Sequence, residues 1–241
     1  FAGRSPGAEV LVAAEQARRA AAHNLMAARL RFTCIRRKID SLRWDLVRPE
    51  EMPSPETLRD AGGTCIAQMA AETVPDVAES HWVRGPYGRH GWIHFPAPQL
   101  PGDIAWAQVF EPEGVADPPT LISLHGICME SEHWSGAADT FDVAPKLTRK
   151  GFRVIQPEGP WHGRRRLPGS FGGEPAMARG PRGFLELFRA WGAEAAVIID
   201  WARRRGSRGV ALGGVSLGAL TSQLVAVTAK DWPAALQPDA L

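Results

Sequence analysis

The apolar positions along the chain change period part-way through. From Ala8 to Phe32 an Ala-rich run without proline carries Leu11, Leu25, Met26, Leu30 and Phe32 among charged residues, and this predicts a helix whose basic side (Arg18, Arg19, Arg29, Arg31) faces solvent. Cys34 to Val47 continues as helix until Arg48-Pro49 stops it, and Pro53 to Thr73 reads as a shorter helical piece broken at Gly62-Gly63. Pro75 to Pro101 reads as loop-rich, although His90, Trp92 and His94 alternate in a way that would share one face of a strand. From Ile104 the pattern is different. Strands are predicted at Ile104–Phe110, Thr120–Leu124, Phe152–Gln156 and Val210–Val215. Helices are predicted near Val143–Lys150, over Phe184–Arg205 and over Leu217–Lys230. The long middle helix places Leu187, Trp191, Ala195, Ile198 and Trp201 at helical spacing and ends at Gly206. Alternation of strand and helix implies a parallel sheet with right-handed crossovers. The expected fold is therefore α/β: a mostly parallel sheet with flanking helices over residues 91–241, preceded by an N-terminal mainly helical region over residues 1–90.

Composition narrows the function classes. The 241 residues are 44% hydrophobic and 22% charged with a formal charge of +2, so nothing in the balance argues for a nucleic-acid partner. No apolar run reaches the ~18 residues a bilayer span needs. The three cysteines, Cys34, Cys65 and Cys128, are widely spaced and odd in number; they form neither a disulfide framework nor a metal pair, which fits a reducing, cytoplasmic compartment. His90 and His94 lack a third ligand at suitable spacing, so no metal site is expected.

One stretch carries chemistry: Gly209-Val210-Ala211-Leu212-Gly213-Gly214-Val215-Ser216-Leu217-Gly218-Ala219-Leu220. A buried strand meets Gly-x-Ser-x-Gly and runs straight into a helix. Gly214 and Gly218 let helix and strand approach closely, and the turn presents Ser216 at a helix N-terminus, where developing negative charge is stabilised. A second strand ends in His125-Gly126-Ile127. A serine attacking a carbonyl needs two donors aimed at the resulting oxyanion. The N–H of Leu217 is one candidate and the N–H of Ile127, on the neighbouring strand-end loop, is the other. His125 reads as a loop-shaping residue rather than an acid or base. The run Arg164-Arg165-Arg166 reads as solvated.

These residues resemble the α/β-hydrolase superfamily of serine esterases, lipases and peptidases. The resemblance rests on Leu124-His125-Gly126-Ile127 with Trp134, on Gly214-Val215-Ser216-Leu217-Gly218, and on the Gly/His/Arg-containing loop Pro157-Glu158-Gly159-Pro160-Trp161-His162-Gly163-Arg164. It covers about Ile104 to Lys230. It implies an incomplete α/β-hydrolase core in which Ser216 is the nucleophile, Ile127 and Leu217 form the oxyanion hole, and Gly214, Gly218, His125 and Gly126 shape the elbow and its facing loop.

The family pattern also calls for an acid and a histidine after the serine. Asp231 and Asp239 follow Ser216, but all seven histidines precede it. The expectation is that the triad partners lie beyond Leu241, in a parent from which this chain is cut, and that the chain alone is inactive. The expected function is hydrolysis of a small-molecule ester, thioester or amide through an acyl-enzyme on Ser216, with no cofactor. Acyl transfer and a non-catalytic binding role on the same fold are the alternatives, and oligomeric state is left open.

Overall fold

The computed structural model describes residues 74–129 and 143–241, together with positions 13, 17, 54, 56, 57, 59, 60 and 69. The helices expected over Ala8–Phe32 and Cys34–Val47, most of Pro53–Thr73, and the loop with Glu130, Glu132, His133 and Trp134 lie outside the described residues.

Seven strands form one sheet: β1 (Ala78–Glu79), β2 (Val83–Gly85), β3 (Gly88–Pro96), β4 (Ile104–Glu111), β5 (Thr120–Leu124), β6 (Arg153–Glu158) and β7 (Val210–Gly214). Their spatial order is β1-β3-β4-β6-β5-β7, with β2 also paired to β3. The sheet is mixed. β5 runs parallel to both β6 and β7, whereas β1, β2 and β4 pair antiparallel with β3, and β4 pairs antiparallel with β6. Connection length decides this: the segments joining β2 to β3 and β3 to β4 are short enough only for hairpins, while the parallel pairs are joined through helices.

Pro75 to Pro101, read as loop from its glycines and prolines, holds β1, β2 and the nine-residue β3. In β3 the residues Gly91, Ile93 and Phe95 are buried and alternate with half-buried His90, Trp92 and His94. The period of two was present in the sequence, masked by Gly88, Gly91 and Pro96. These strands precede or straddle residue 91, where the second region was expected to begin.

Among the described residues four α-helices flank the sheet: α1 (Val143–Thr148), α2 (Glu174–Ala178), α3 (Gly180–Arg204) and α4 (Leu217–Ala229). One sheet face is the main core. There Ile93, Phe95, Val109, Ile122, Leu124, Ile155 and Leu212 pack against Leu187, Trp191, Ala195 and Ile198 of α3 and Leu217 and Val225 of α4. The alternate residues Phe110 and Val154 face the other way and bury Ala144 of α1. Alternation along each strand thus feeds both layers. Among the described residues no helix is long and apolar enough to cross a membrane.

Beyond β7, Ala240 forms a parallel bridge to Ala211, with Leu212 N–H donating to Ala240 O (3.0 Å) and Val210 N–H to the Asp239 carboxylate (2.7 Å). The Val210 amide, with Arg203 beside it, holds the Asp239 carboxyl below its ordinary pKa against the opposing effect of partial burial.

Candidate active site

The strand-to-helix turn is built by close approach. β5 and β7 pair in register with Leu124 opposite Gly214, and Val215 N–H donates to Leu124 O at 3.1 Å. A Cβ on Gly214 would stand 2.6 Å from Leu124 O and 2.7 Å from the Gly218 carbonyl carbon; one on Gly218 would stand 2.7 Å from His125 O. Real Cβ atoms do not come this close to backbone, so both positions require glycine. Between them Ser216 takes φ 52 and ψ −113, outside the regions open to L side chains. Such a conformation costs about 1–3 kcal/mol and persists only where its surroundings over-determine it. The serine is exposed, whereas Leu217 and Gly218 behind it are buried. The 13-residue helix α4 starts at Leu217, so that residue's N–H is among the unsatisfied donors of the first turn.

The loop after β5 faces this turn. A Cβ on Gly126 would lie 3.5 Å from Ser216 Cβ and 2.9 Å from Met129 Sδ, so Gly126 backs directly onto the serine. Gly126 O accepts from Met129 N–H at 3.2 Å, closing a turn whose third residue, Cys128, sits at φ 62. Glycine normally fills that position in a type II turn. Among the described residues neither Ile127 N–H nor Leu217 N–H donates to another group, and Ser216 Oγ has no hydrogen-bond partner. The structure therefore brings together Ser216, Gly126, Gly214 and Gly218, with Ile127 next in the chain to Gly126 and Leu217 next to Ser216.

The loop after β6 completes the cluster. Its Gly159 N–H donates to His125 Nε2 (3.0 Å), and His125 Nδ1 lies 2.8 Å from Gly126 O. The His125 ring packs on His162 and on Trp191, with centroids 4.6 and 4.8 Å away. His162 is fully buried, and its Nδ1 lies 2.8 Å from Pro160 O. Burial pushes its pKa well below the ordinary value, His125 and Arg165 add to that, and the Pro160 carbonyl only partly opposes it. A Cβ on Gly173 would meet both His162 Nε2 (2.8 Å) and Ile127 Cγ1 (3.1 Å), so the third loop is seated against the second.

Backbone strain gathers here as well. Of the four non-glycine residues with positive φ among the described residues, Cys128, Trp161 and Ser216 each follow the C-terminal end of one of the adjacent parallel strands β5, β6 and β7. Asp117, the fourth, lies in the turn before β5. The C-terminal edge of parallel strands is where open α/β sheets bind ligands, and strained residues cluster at such sites.

Of the arginine run, Arg164 is exposed and Arg166 half-buried, but Arg165 is not solvated. Arg165 is buried, bonds bidentately to buried Glu194 (2.7 and 2.8 Å) and donates two N–H groups to the single oxygen Asp103 Oδ2 (2.6 and 2.9 Å), tying the β6 loop to α3 and to the turn before β4. Burial alone would lower the Arg165 pKa, but the charges and hydrogen bonds of Glu194 and Asp103 raise it. Burial raises the Glu194 carboxyl, and Arg165 pulls it part of the way back. Arg164 pairs with Glu158 and lies over the Trp92 ring, 3.5 Å from its centroid. Charge and run length said nothing of this. A basic side chain is buried only if acids reach it, and Asp103 and Glu194 are remote in sequence.

Comparison with known proteins agrees with this architecture. No family model matches the chain, and no curated protein matches it. Solved structures do. A Bacteroides fragilis protein described as an acetyl xylan esterase matches with a TM-score of 0.52 and 14% identity, over 74% of this chain and 52% of that one. Acetyl xylan esterase 1 from Thermoanaerobacterium sp. JW/SL YS485 matches with a TM-score of 0.51 and 16% identity, over 73% of this chain and 56% of that one. The chain thus spans about half the length of these structures. The fold is that of the α/β-hydrolases, present as an incomplete core with a mixed sheet.

Proposed function

We propose that this α/β-hydrolase core belongs to a serine esterase whose nucleophile is Ser216. The observation that carries the reading is the strained, exposed Ser216 at the C-terminal edge of β7, backed by Gly126 of the neighbouring strand-end loop. In this reading Ser216 Oγ attacks the ester carbonyl carbon, and the C=O π electrons move onto oxygen. The Ile127 and Leu217 amides, with the N-terminus of α4 behind them, hold the oxyanion. Collapse breaks the bond to the alkoxy oxygen, which leaves as the alcohol by taking the proton that the base received from Ser216; the acyl-serine that remains is hydrolysed by water to the free acid. The proton of Ser216 passes to a base other than His125, whose two ring nitrogens are both engaged with main chain.

Gly126 lets its loop pack directly against the serine, and Val215 and Leu220, one and four residues from it in the chain, are exposed apolar side chains. Together with the acetyl xylan esterases that share the fold, this directs assays to short-chain esters first. The test is steady-state hydrolysis of p-nitrophenyl acetate by the native protein and its Ser216→Ala variant. Loss of turnover by more than about 10³-fold is expected. Wild-type turnover in the variant would remove Ser216 from the mechanism.

A further inference from the structure

Independently of the catalytic reading, we propose that helix α3 carries a docking notch at Gly192 for the chain's own segment around Met69, which closes the core of the same domain. The sequence of the helix points there first. The ten residues from Ala190 to Ile199 include a single charged one, Glu194. A surface helix keeps a polar stripe, whereas a helix that is apolar all round is covered on every side. All ten are buried in the fold. Ten residues make about 2.8 turns, so every direction around the axis is represented. Glu194, the exception, is held by Arg165 at 2.7 and 2.8 Å. Leu187, Trp191, Ala195 and Ile198 share the face that packs on the sheet. At about 100° per residue, Gly192, Ala193 and Ala196 turn away from that face. Something other than the sheet therefore covers them.

At Gly192 the covering residue is Met69. A Cβ built on the glycine would lie 2.2 Å from Met69 Cε and 3.4 Å from both its Cβ and its Cγ, and these are the three nearest atoms. The methionine thus lies lengthwise along the glycine. Met69 is fully buried and belongs to the same cluster as Trp191, Ala195, Ala196 and Ile198. Glycine is unfavourable inside a helix; here the missing methyl is the room that the thioether fills. An unbranched, polarizable side chain suits such an irregular gap. Val77, at the far end of the connection from Met69 to β1, packs against the same cluster, so one chain reaches both places without a second copy. The notch lies two positions before Glu194, whose partner Arg165 belongs to the β6 loop. The segment around Met69 is therefore seated on the helix that anchors a loop of the candidate site.

Two measurements on the full chain test this. In the first, the protein is made with photo-methionine in place of methionine. Irradiation expels N₂ from the diazirine and leaves a carbene that inserts into the nearest C–H bond. Position 69 is expected to cross-link to the α3 peptide containing Gly192, in protein that runs as a single chain on a denaturing gel. A link found only in a two-chain band would give the notch to a second copy, and no link between position 69 and α3 would remove the docking; either result overturns the proposal. The second measurement reads the sign of one substitution in two backgrounds. In the wild-type background Gly192→Ala pushes against a buried methionine with no exposed surface to move into, and Tm is expected to fall by about 2–4 °C. In the Met69→Ala background the same change meets no obstacle and removes a glycine from a helix interior, and Tm is expected to rise by about 2–4 °C. Shifts of the same sign in both backgrounds would show that Met69 does not occupy the notch.

Discussion

Gly214 lies so near Leu124 that a side-chain carbon on the glycine would fall 2.6 Å from the leucine carbonyl oxygen. The two residues are register partners in the β5–β7 ladder, and Leu124 O is already the acceptor for Val215 N–H. The turn carrying Ser216 is thus clamped to the neighbouring strand through main-chain atoms that cannot move apart without unzipping the sheet. Gly214→Ala is expected to destabilise by about 3 kcal/mol, the upper range for overpacking, as a lower denaturation midpoint in urea with an unchanged slope. A loss below about 0.5 kcal/mol would mean the ladder is looser than described.

The strain at Ser216 gives a prediction of opposite sign. Glycine adopts φ 52 and ψ −113 without a Cβ clash. Ser216→Gly is expected to stabilise the fold by about 1 kcal/mol, part of the relieved strain being offset by the greater freedom of glycine when unfolded. Hydrolysis should vanish in the same variant. Stability and activity moving in opposite directions at one residue, followed by thermal melts and ester turnover, is the signature of a strained functional site.

His162 links pH to stability. Its folded pKa is depressed, chiefly by burial. The unfolded chain therefore takes up the proton first as pH falls. The stabilisation from the neutral buried ring is complete above the unfolded value of about 6.5 and is lost as pH falls from there toward the folded value. His162→Asn can keep a donor for Pro160 O but cannot titrate. Between pH 7 and 5 its Tm is expected to fall less steeply than that of wild type, and parallel profiles would exclude His162 as the source.

Arg165 and Glu194 should be energetically inseparable. Arg165→Met leaves Glu194 buried without its bidentate partner and is expected to cost about 3–5 kcal/mol. Adding Glu194→Leu should recover most of that loss. Additive losses in a double-mutant cycle would show that the pair does not act as a unit.

Much of the core was readable because its signals are local. The short apolar β-rich run at Thr120–Leu124, helical spacing at Leu187, Trp191, Ala195 and Ile198, and the Gly-x-Ser-x-Gly turn are each contained within one element. The parallel part of the sheet followed from them. The antiparallel part did not, since β3 depends on neighbours that override Gly88, Gly91 and Pro96 as breakers. The serine was visible as a motif, but its surroundings were not. Gly159 bonding to His125, His162 stacking on the same ring, and Arg165 meeting both Glu194 and Asp103 all join residues from different loops and helices. Only the folded sheet edge places such pairs together.

The most direct measurement is covalent capture. The native protein treated with a fluorophosphonate ester, digested and analysed by mass spectrometry, is expected to carry the phosphonyl group on the peptide containing Ser216, with no adduct in Ser216→Ala. An adduct on another residue, or equal labelling of the two proteins, would contradict the assignment of Ser216 as the nucleophile.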